Sequence, residues 1–415
     1  MASTGILADS WMTGIGPYGT SLNWEDCSAL LAACIVEDYN TLGQIKKGEA
    51  VTDVIYTWVN DSLNPITFTG YMATSGSLVI SSPTNTAAID RLLQTNMVFG
   101  VLRPTADLQA SWTPTFYDGL FAVQTESTST LTCVAYGNTP FMTTTAGTVY
   151  VVYGRPKADN ATVSPDISRP RSLSKNYTQV FERGIETQKT REGLDMKAVP
   201  DELKLQMKRR TQEIKRELNK WVIGGIARQD AAAAGSFTGD SQIRTMAGLY
   251  WLMRDPNLDG TNEDAMMFNA SAKEVDGNRL NDLLYEIENA GGIDDQWDPV
   301  ILCNPVQARK ISRIGEEWIR KSEEDRTTGH YVDTFLSDLG RKVPIVWDRY
   351  WRYDLLMVAD RSRISLHPYT KDDLSIGEVA ADSNRFRRWQ MSMQYTLKLE
   401  CPDTSHAMYY NLKWW

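Results

Sequence analysis

Apolar and polar positions alternate most cleanly late in the chain, where Trp389, Met391, Met393, Tyr395, Leu397 and Leu399 interleave with Gln390, Ser392, Gln394, Thr396, Lys398 and Glu400. A period of two is the mark of a strand with one face in a core. The period becomes helical after Pro200, with Leu203, Met207, Ile214, Leu218 and Trp221 on one side and Lys204, Lys208, Arg209, Glu213, Lys215 and Glu217 left to solvent. Pro200, Asp201 and Glu202 suit a first turn, where proline fits and acids meet the positive end of the dipole. Running to Arg228 or so, this helix would hold about thirty residues and reach about 45 Å. It is the natural cover for the late strand.

Two further runs read as strands. VTDVIYTWVN (Val51 to Asn60) is β-branched and aromatic, and the more polar NYTQVFERGIETQKT (Asn176 to Thr190) follows it at a distance. Paired, they predict a long ribbon. Asn23 with Asp26 predicts a helix start, with Leu30, Leu31, Cys34 and Ile35 on one side, behind a Gly-, Ser- and Thr-rich arm. Later elements are a helix from Asn278 to Asn289 closed by Gly291-Gly292, a buried strand from Pro299 to Cys303, and a helix capped by Asn304-Pro305 towards Arg320. Short strands are expected at Val343 to Trp347, Leu355 to Ala359 and Arg363 to His367.

Composition breaks this picture in one place. From Asn64 to Gly154 only six of ninety-one residues are charged (Asp90, Arg91, Arg103, Asp107, Asp118 and Glu126), with no lysine and eighteen threonines. A change this abrupt, reversed afterwards, marks a module inserted into a host fold. Its short strands, among them Ser77 to Ser81, Thr130 to Tyr136 and Thr148 to Tyr153, predict a small β-barrel or sandwich.

The whole chain, 415 residues with 42% apolar and 23% charged positions, is long enough for two or three globular domains. A net charge of −9 argues against a protein devoted to neutralising phosphates and restricts any nucleic-acid contact to local patches. No window reaches eighteen apolar residues and no basic segment leads into an apolar run, so neither a membrane span nor a secretion signal is expected. Cys27, Cys34, Cys133, Cys303 and Cys401 are scattered and lack CxxC spacing, which suggests reduced thiols in a cytosolic setting and makes the sequons at Asn60, Asn160, Asn176 and Asn269 chance matches.

Candidate chemistry is sparse. Gly14, Gly16 and Gly19 spell GxGxxG without room for a preceding strand and with Pro17 inside, so a flexible arm is the better reading. Asp255, Asn257, Asp259 and Glu263 match half of a calcium loop; Met266 replaces the closing glutamate, and a polar turn is favoured over a cation site. Asp294, Asp295 and Asp298 read as a solvated loop. His330, His367 and His406 form no metal or hydrolase spacing, and no GxSxG or Walker A segment occurs. No catalytic residue, cofactor site or firm metal site is assigned.

The order of elements, an arm with a helix, a ribbon, a spine helix, an α/β region and a late return strand, resembles the major capsid proteins of tailed bacteriophages with the Hong Kong 97-like fold. The chain looks like one family of these in KKGEAVTDVIYTWVNDSLN (Lys46 to Asn64), NYTQVF (Asn176 to Phe181), DELKLQMKRRTQEIKRELNKWVIGG (Asp201 to Gly225) and RTMAGLYW (Arg244 to Trp251). It is similar again in NPVQARKIS (Asn304 to Ser312), VPIVWDRYW (Val343 to Trp351) and YTLKLECPDTSHAMYYNL (Tyr395 to Leu412). The resemblance, which covers the chain outside the insert, implies an α+β protein with an N-terminal arm (1–47), an extended ribbon or E-loop (48–63 and 166–196), a peripheral domain with the spine helix (197–249 and 369–415) and an axial domain (250–368), and the composition adds to it the inserted all-β domain (64–165). The resemblance further implies hexamers and pentamers of an icosahedral shell around double-stranded DNA, met on the inner face without sequence specificity. Portal, scaffolding and decoration proteins are the other expected partners, with no membrane, and the place is the virion capsid, assembled in the host cytoplasm. With no lysine between Gly48 and Pro156, a lysine donor for cross-links at the ribbon tip is excluded, and a non-covalent shell is expected. The alternative is a virion-surface protein whose Thr-rich insert binds a receptor or glycan.

Overall fold

The computed structural model describes residues 40–60, 67–73, 76–82, 93–103, 120–125, 130–136, 144, 146–157, 159, 171–188, 202–229, 243–260, 266–314, 333–370, 372–379 and 386–415. The glycine motif at 14–19, the helix expected after Asn23, His330, Cys27 and Cys34 lie outside these residues. Two compact units emerge, one from the residues before Val59 and after Ser172, the other from Val59 to Ser172.

In chain order the first unit starts with a helical turn, α1 (Asn40–Gly43), the two-residue strand β1 (Lys46–Lys47), and β2 (Ile55–Asn60), in which Trp58 is buried. The second unit follows as β3 (Thr67–Met72), β4 (Ser77–Ser82), β5 (Val98–Arg103), β6 (Leu120–Thr125), β7 (Thr130–Tyr136) and β8 (Thr148–Gly154). These six close into a barrel in the order β3-β4-β7-β6-β5-β8. The inward positions carry Phe68, Met72, Leu78, Phe99, Phe121, Val123, Leu131, Cys133 and Tyr150, so the barrel has a core of its own. Phe68 stacks on Tyr150 with ring centres 5.0 Å apart, and Phe99 meets Tyr150 edge-on at 5.7 Å. Each buried aromatic of this kind contributes about 1.5–3 kcal/mol. Burial pushes the Cys133 thiol and the Tyr150 phenol up to about 12.

After the barrel come β9 (Ser172–Tyr177), which pairs with β2 as a two-stranded ribbon, and β10 (Gln179–Gln188). Then follow the long helix α2 (Glu202–Gly224), the small pairing of β11 (Arg228–Gln229) with β12 (Arg244–Thr245), and α3 (Leu249–Arg254). The remaining elements are β13 (Met267–Asn269), α4 (Gly277–Asn289), β14 (Pro299–Cys303), α5 (Pro305–Ile314), β15 (Thr334–Leu336), β16 (Lys342–Trp347), β17 (Leu356–Asp360), β18 (Ile364–Pro368), β19 (Ser375–Val379), β20 (Phe386–Leu399) and β21 (Ala407–Tyr410).

These build two sheets. The first runs β1-β18-β20-β10, with β19 beside the early half of β20. Helix α2 lies on it: Ile214, Leu218 and Val222 share one buried cluster with Phe181 and Ile185 of β10 and Met391 and Met393 of β20. The second, β13-β21-β17-β14-β16-β15, is mixed, with the fully buried strand β17 at its centre. Helix α4 begins where the Asp276 carboxylate accepts from the Arg279 amide at 2.8 Å, and it buries Leu280, Leu283, Leu284 and Ile287, the i, i+3, i+4, i+7 stripe of an amphipathic helix. Asn304 opens α5 by accepting from the Val306 amide at 3.1 Å.

The structure departs from the sequence expectations in four places. The run from Asn176 to Thr190 is not one ribbon strand: it breaks at Thr178, and β10 pairs along its whole length with β20 in the first sheet. The ribbon is therefore short, and its second strand starts at Ser172. The long helix has 23 residues, about 34 Å, and stops at Gly224 rather than near Arg228. There a Cβ on Gly225 would lie 2.5 Å from the Trp221 carbonyl, and the Gly225 carbonyl instead accepts from the Gly248 amide at 2.9 Å. Third, β18 joins the first sheet although it falls within 250–368, and fourth, β21 joins the second although it falls within 369–415. Strand-like sequence shows that a strand forms; which sheet it enters is decided by the burial of its partners.

Candidate functional site

The half calcium loop is a turn. Both Asp255 carboxylate oxygens are engaged within it, accepting from the Asp259 amide at 3.2 Å and the Gly260 amide at 2.9 Å. Asn257 shares the turn, Glu263 lies outside the described residues, and no group of metal-ligating side chains occurs among those described. Asp294 and Asp298 do more than line a loop: they pair with Arg363 at 2.7 Å and Arg361 at 2.5 Å, fastening the 3-10 turn Arg361–Arg363 between β17 and β18. His367 is held by the Glu49 carbonyl and the Ser365 hydroxyl, each at 2.8 Å, and packs on Tyr56. Burial lowers its pKa.

Three buried polar anchors, none expected from sequence to hold the fold together, join distant segments of the first unit. The first is Asp348, just past β16. Its Oδ2 accepts from the Thr41 amide (3.1 Å), the Thr41 hydroxyl (3.0 Å) and Asn219 Nδ2 (2.7 Å), and its Oδ1 from the Tyr350 amide (3.1 Å). Asn219 in turn accepts from the Leu42 amide at 3.0 Å, and the Trp351 indole donates to the Thr41 hydroxyl at 3.1 Å. One carboxylate thus ties α1 to α2 and to the turn after β16. The second is Asn176, fully buried, which donates to the Ala247 and Leu397 carbonyls and accepts from the Ala247 and Tyr177 amides. A sequon at such a site is indeed no glycan acceptor, because the side chain is enclosed and fully engaged.

The third is Asp360 with His406. Asp360 Oδ1 accepts from the Asp298 and Ser362 amides and the Ser362 hydroxyl, while Arg363 Nε approaches Oδ2 at 3.3 Å, off the line of a hydrogen bond. The Asp360 amide donates to His406 Nδ1 at 3.1 Å, which fixes that nitrogen as the acceptor and leaves Nε2–H to donate to the Glu400 carbonyl. Burial depresses the imidazole pKa well below its ordinary value, against the opposing pull of Asp360. The anchor side chains are buried and engaged internally, with Asp360 Oδ2 held only by its ion pair to Arg363.

Several exposed apolar side chains sit on extended elements. The ribbon presents Ile55, Val59 and Leu173 to solvent, β19 presents Ile376 and Val379, and the β15–β16 hairpin presents Leu336, Leu339 and Trp347. Surface of this kind is normally covered by another chain.

A family model described as SU10 major capsid protein matches residues 13–413. The chain belongs to that family. This capsid protein is a structural component of the virion shell and associates with copies of itself. Among solved structures it is similar to the cyanophage A-1(L) capsid asymmetric unit, with a TM-score of 0.51 and 10% identity over 95% of this chain and 98% of that one. It is also similar to the capsid of an empty GTA particle (TM-score 0.49, 8% identity, 96% and 97% covered) and to Mycobacterium phage Adephagia (0.43, 10%, 94% and 95%). At such identities the cyanophage match speaks to fold alone, which is Hong Kong 97-like. No curated protein matches the chain. The receptor- or glycan-binding reading is not favoured.

Proposed function

We propose that this capsid protein forms hexamers and pentamers of a non-covalent icosahedral shell around double-stranded DNA, in the host cytoplasm, with portal, scaffolding and decoration proteins as partners and with no catalytic role. The observation that carries the reading is the β2–β9 ribbon. Two strands exposing Ile55, Val59 and Leu173 have too little core to stand alone and are stabilised by lying against a neighbouring subunit. On this reading the helix-backed first sheet is the peripheral domain and the mixed second sheet the axial domain, with the exposed β15–β16 hairpin turned to other subunits. The three buried anchors suit such a part, since a shell subunit must hold one shape while its surfaces are loaded.

The test is sedimentation velocity with electron microscopy of the purified full chain. Capsomer rings or megadalton shells are expected. A stable monomer or trimer with no larger species would sink the proposal. Deletion of residues 64–154, joined by a short linker, should weaken the shell while leaving the first unit folded.

A further inference from the structure

Charge is segregated on α2. The helix carries seven Lys and Arg against three Asp and Glu, a surplus of four in a chain whose net charge is −9. At about 100° per residue, Lys204, Lys208, Lys215, Arg216, Arg209 and Lys220 fall within an arc of roughly 160°, and between Leu203 and Gly224 that arc holds no acid. The two acids of this stretch lie on the other flank, where Glu213 pairs with Arg210 at 2.6 Å and Glu217 reaches Arg183 of the sheet at 2.5 Å. Glu217 therefore serves the contact with the sheet, and Glu213 a pair within the helix. Lys204, Lys208 and Lys215 are all exposed and form the most accessible stripe, with rises of roughly 6 and 10 Å between successive members.

Helix stability does not need this arrangement. Alternating signs at i, i+4 spacing would stabilise the helix better than a one-sided stripe, in which Lys204 and Lys208 stand one turn apart as like charges. A row of ammonium groups roughly 16 Å long matches about five base-pair steps of a duplex strand, at about 3.4 Å each. We infer that the Lys204–Lys208–Lys215 stripe of α2 is a phosphate-contacting surface for double-stranded DNA, binding without regard to sequence. This rests on the shell being a DNA container, and it places one side of α2 on the interior wall. Three lysine contacts per subunit are few and strongly screened by salt, so packed DNA is lined up along the wall yet stays free to move.

The experiment uses full-length unassembled subunits and two fluorescein-labelled 30-base-pair duplexes of unrelated sequence, followed by anisotropy from about 50 to 200 mM salt. The triple variant Lys204→Gln/Lys208→Gln/Lys215→Gln should lower the slope of log affinity against log salt by about 2.7, at about 0.9 per phosphate contact, and weaken both duplexes alike. The Lys→Arg triple should keep the slope, and a control triple elsewhere, Lys273→Gln/Arg341→Gln/Lys342→Gln, should leave it unchanged. Should the first triple fail to fold by circular dichroism, the single variants should each lower the slope by about 0.9. An unchanged slope in the helix variants overturns the inference, as does an equal loss in the control. Loss of polyglutamate binding with DNA binding intact also overturns it, by assigning the stripe to an acidic protein. Whether the same variants form particles by electron microscopy is read separately: particles with an unchanged slope refute the DNA surface alone, whereas no particles even from the parent chain refute the shell.

Discussion

Asp348→Ala is the sharpest test of the framework. The substitution removes one acceptor group and strands four donors: the Thr41 amide, the Thr41 hydroxyl, Asn219 Nδ2 and the Tyr350 amide. Each buried donor left without a partner costs about 1–3 kcal/mol, and water admitted to the space returns part of that. A net loss of about 4 kcal/mol is expected, a large share of the roughly 5–15 kcal/mol that holds a domain folded. Asp348→Asn should lose about half as much, because the amide keeps one acceptor but turns its own donors towards the others. Urea unfolding of the unassembled subunit measures the loss, and hydrogen exchange locates it. The Thr41 and Leu42 amides should exchange much faster in Asp348→Ala, whereas those of α4, far from the anchor in sequence, should change little. A loss below about 1 kcal/mol with Thr41 still protected would refute the idea that this carboxylate fastens α1 to the spine helix.

Three further outcomes follow from the structure. In Gly248→Ala, the new methyl would sit 2.5 Å from the Trp221 carbonyl, 2.7 Å from the Gly225 nitrogen and 2.8 Å from the Val222 carbonyl. All three are backbone, so no rotamer change relieves the clash, and a loss of about 2–4 kcal/mol in urea is expected; near-wild-type stability would mean that the helix end yields easily. His406 is neutral in the folded state with its pKa lowered by burial. Its stabilisation is complete above about pH 6.5, the unfolded value, and falls as pH drops below that, by up to about 1.4 kcal/mol per pH unit, until the native imidazole itself takes a proton. His406→Gln should flatten that acid limb in denaturant titrations, and an unaltered limb would assign it to other groups such as His367. Finally, mature particles boiled in detergent should run as single chains, since no lysine lies between Gly48 and Pro156 to donate a cross-link from the ribbon tip; a ladder of linked species would contradict this.

Much of the fold was legible because periodicity reports burial directly. The period-two run at Trp389 to Leu399 is a strand of the first sheet, the Pro299–Cys303 strand has the expected limits, and Ile214 and Leu218 face the sheet. Errors arose where polar residues are buried and satisfied. Asn176 and Thr178 look like solvent-facing strand positions, yet both are fully enclosed, Asn176 by four hydrogen bonds and Thr178 by the Val54 carbonyl and Gln394. A one-dimensional pattern prices such residues as wet and so lengthened the ribbon. The anchors were invisible for the same reason: Thr41, Asn219 and Asp348 are joined only by tertiary contact across 307 positions. The helix end was misjudged because Gly224-Gly225 reads as a weak propensity, whereas its force comes from the backbone packed against it.

The closed barrel has a consequence for how particles avoid joining one another. Among the described residues every strand of β3 to β8 is hydrogen-bonded on both sides, so the barrel offers no free edge there for a strand of another chain to extend. Among the described residues the open edges belong to the ribbon, to the β11–β12 pair and to the outer strands of the two sheets, β1, β10 and β19 in one, β13 and β15 in the other. Through the described strands, addition between copies is therefore left to these edges and not to the barrel. The closed strands of the barrel are inert to that kind of growth and give no template that would fuse one shell to the next.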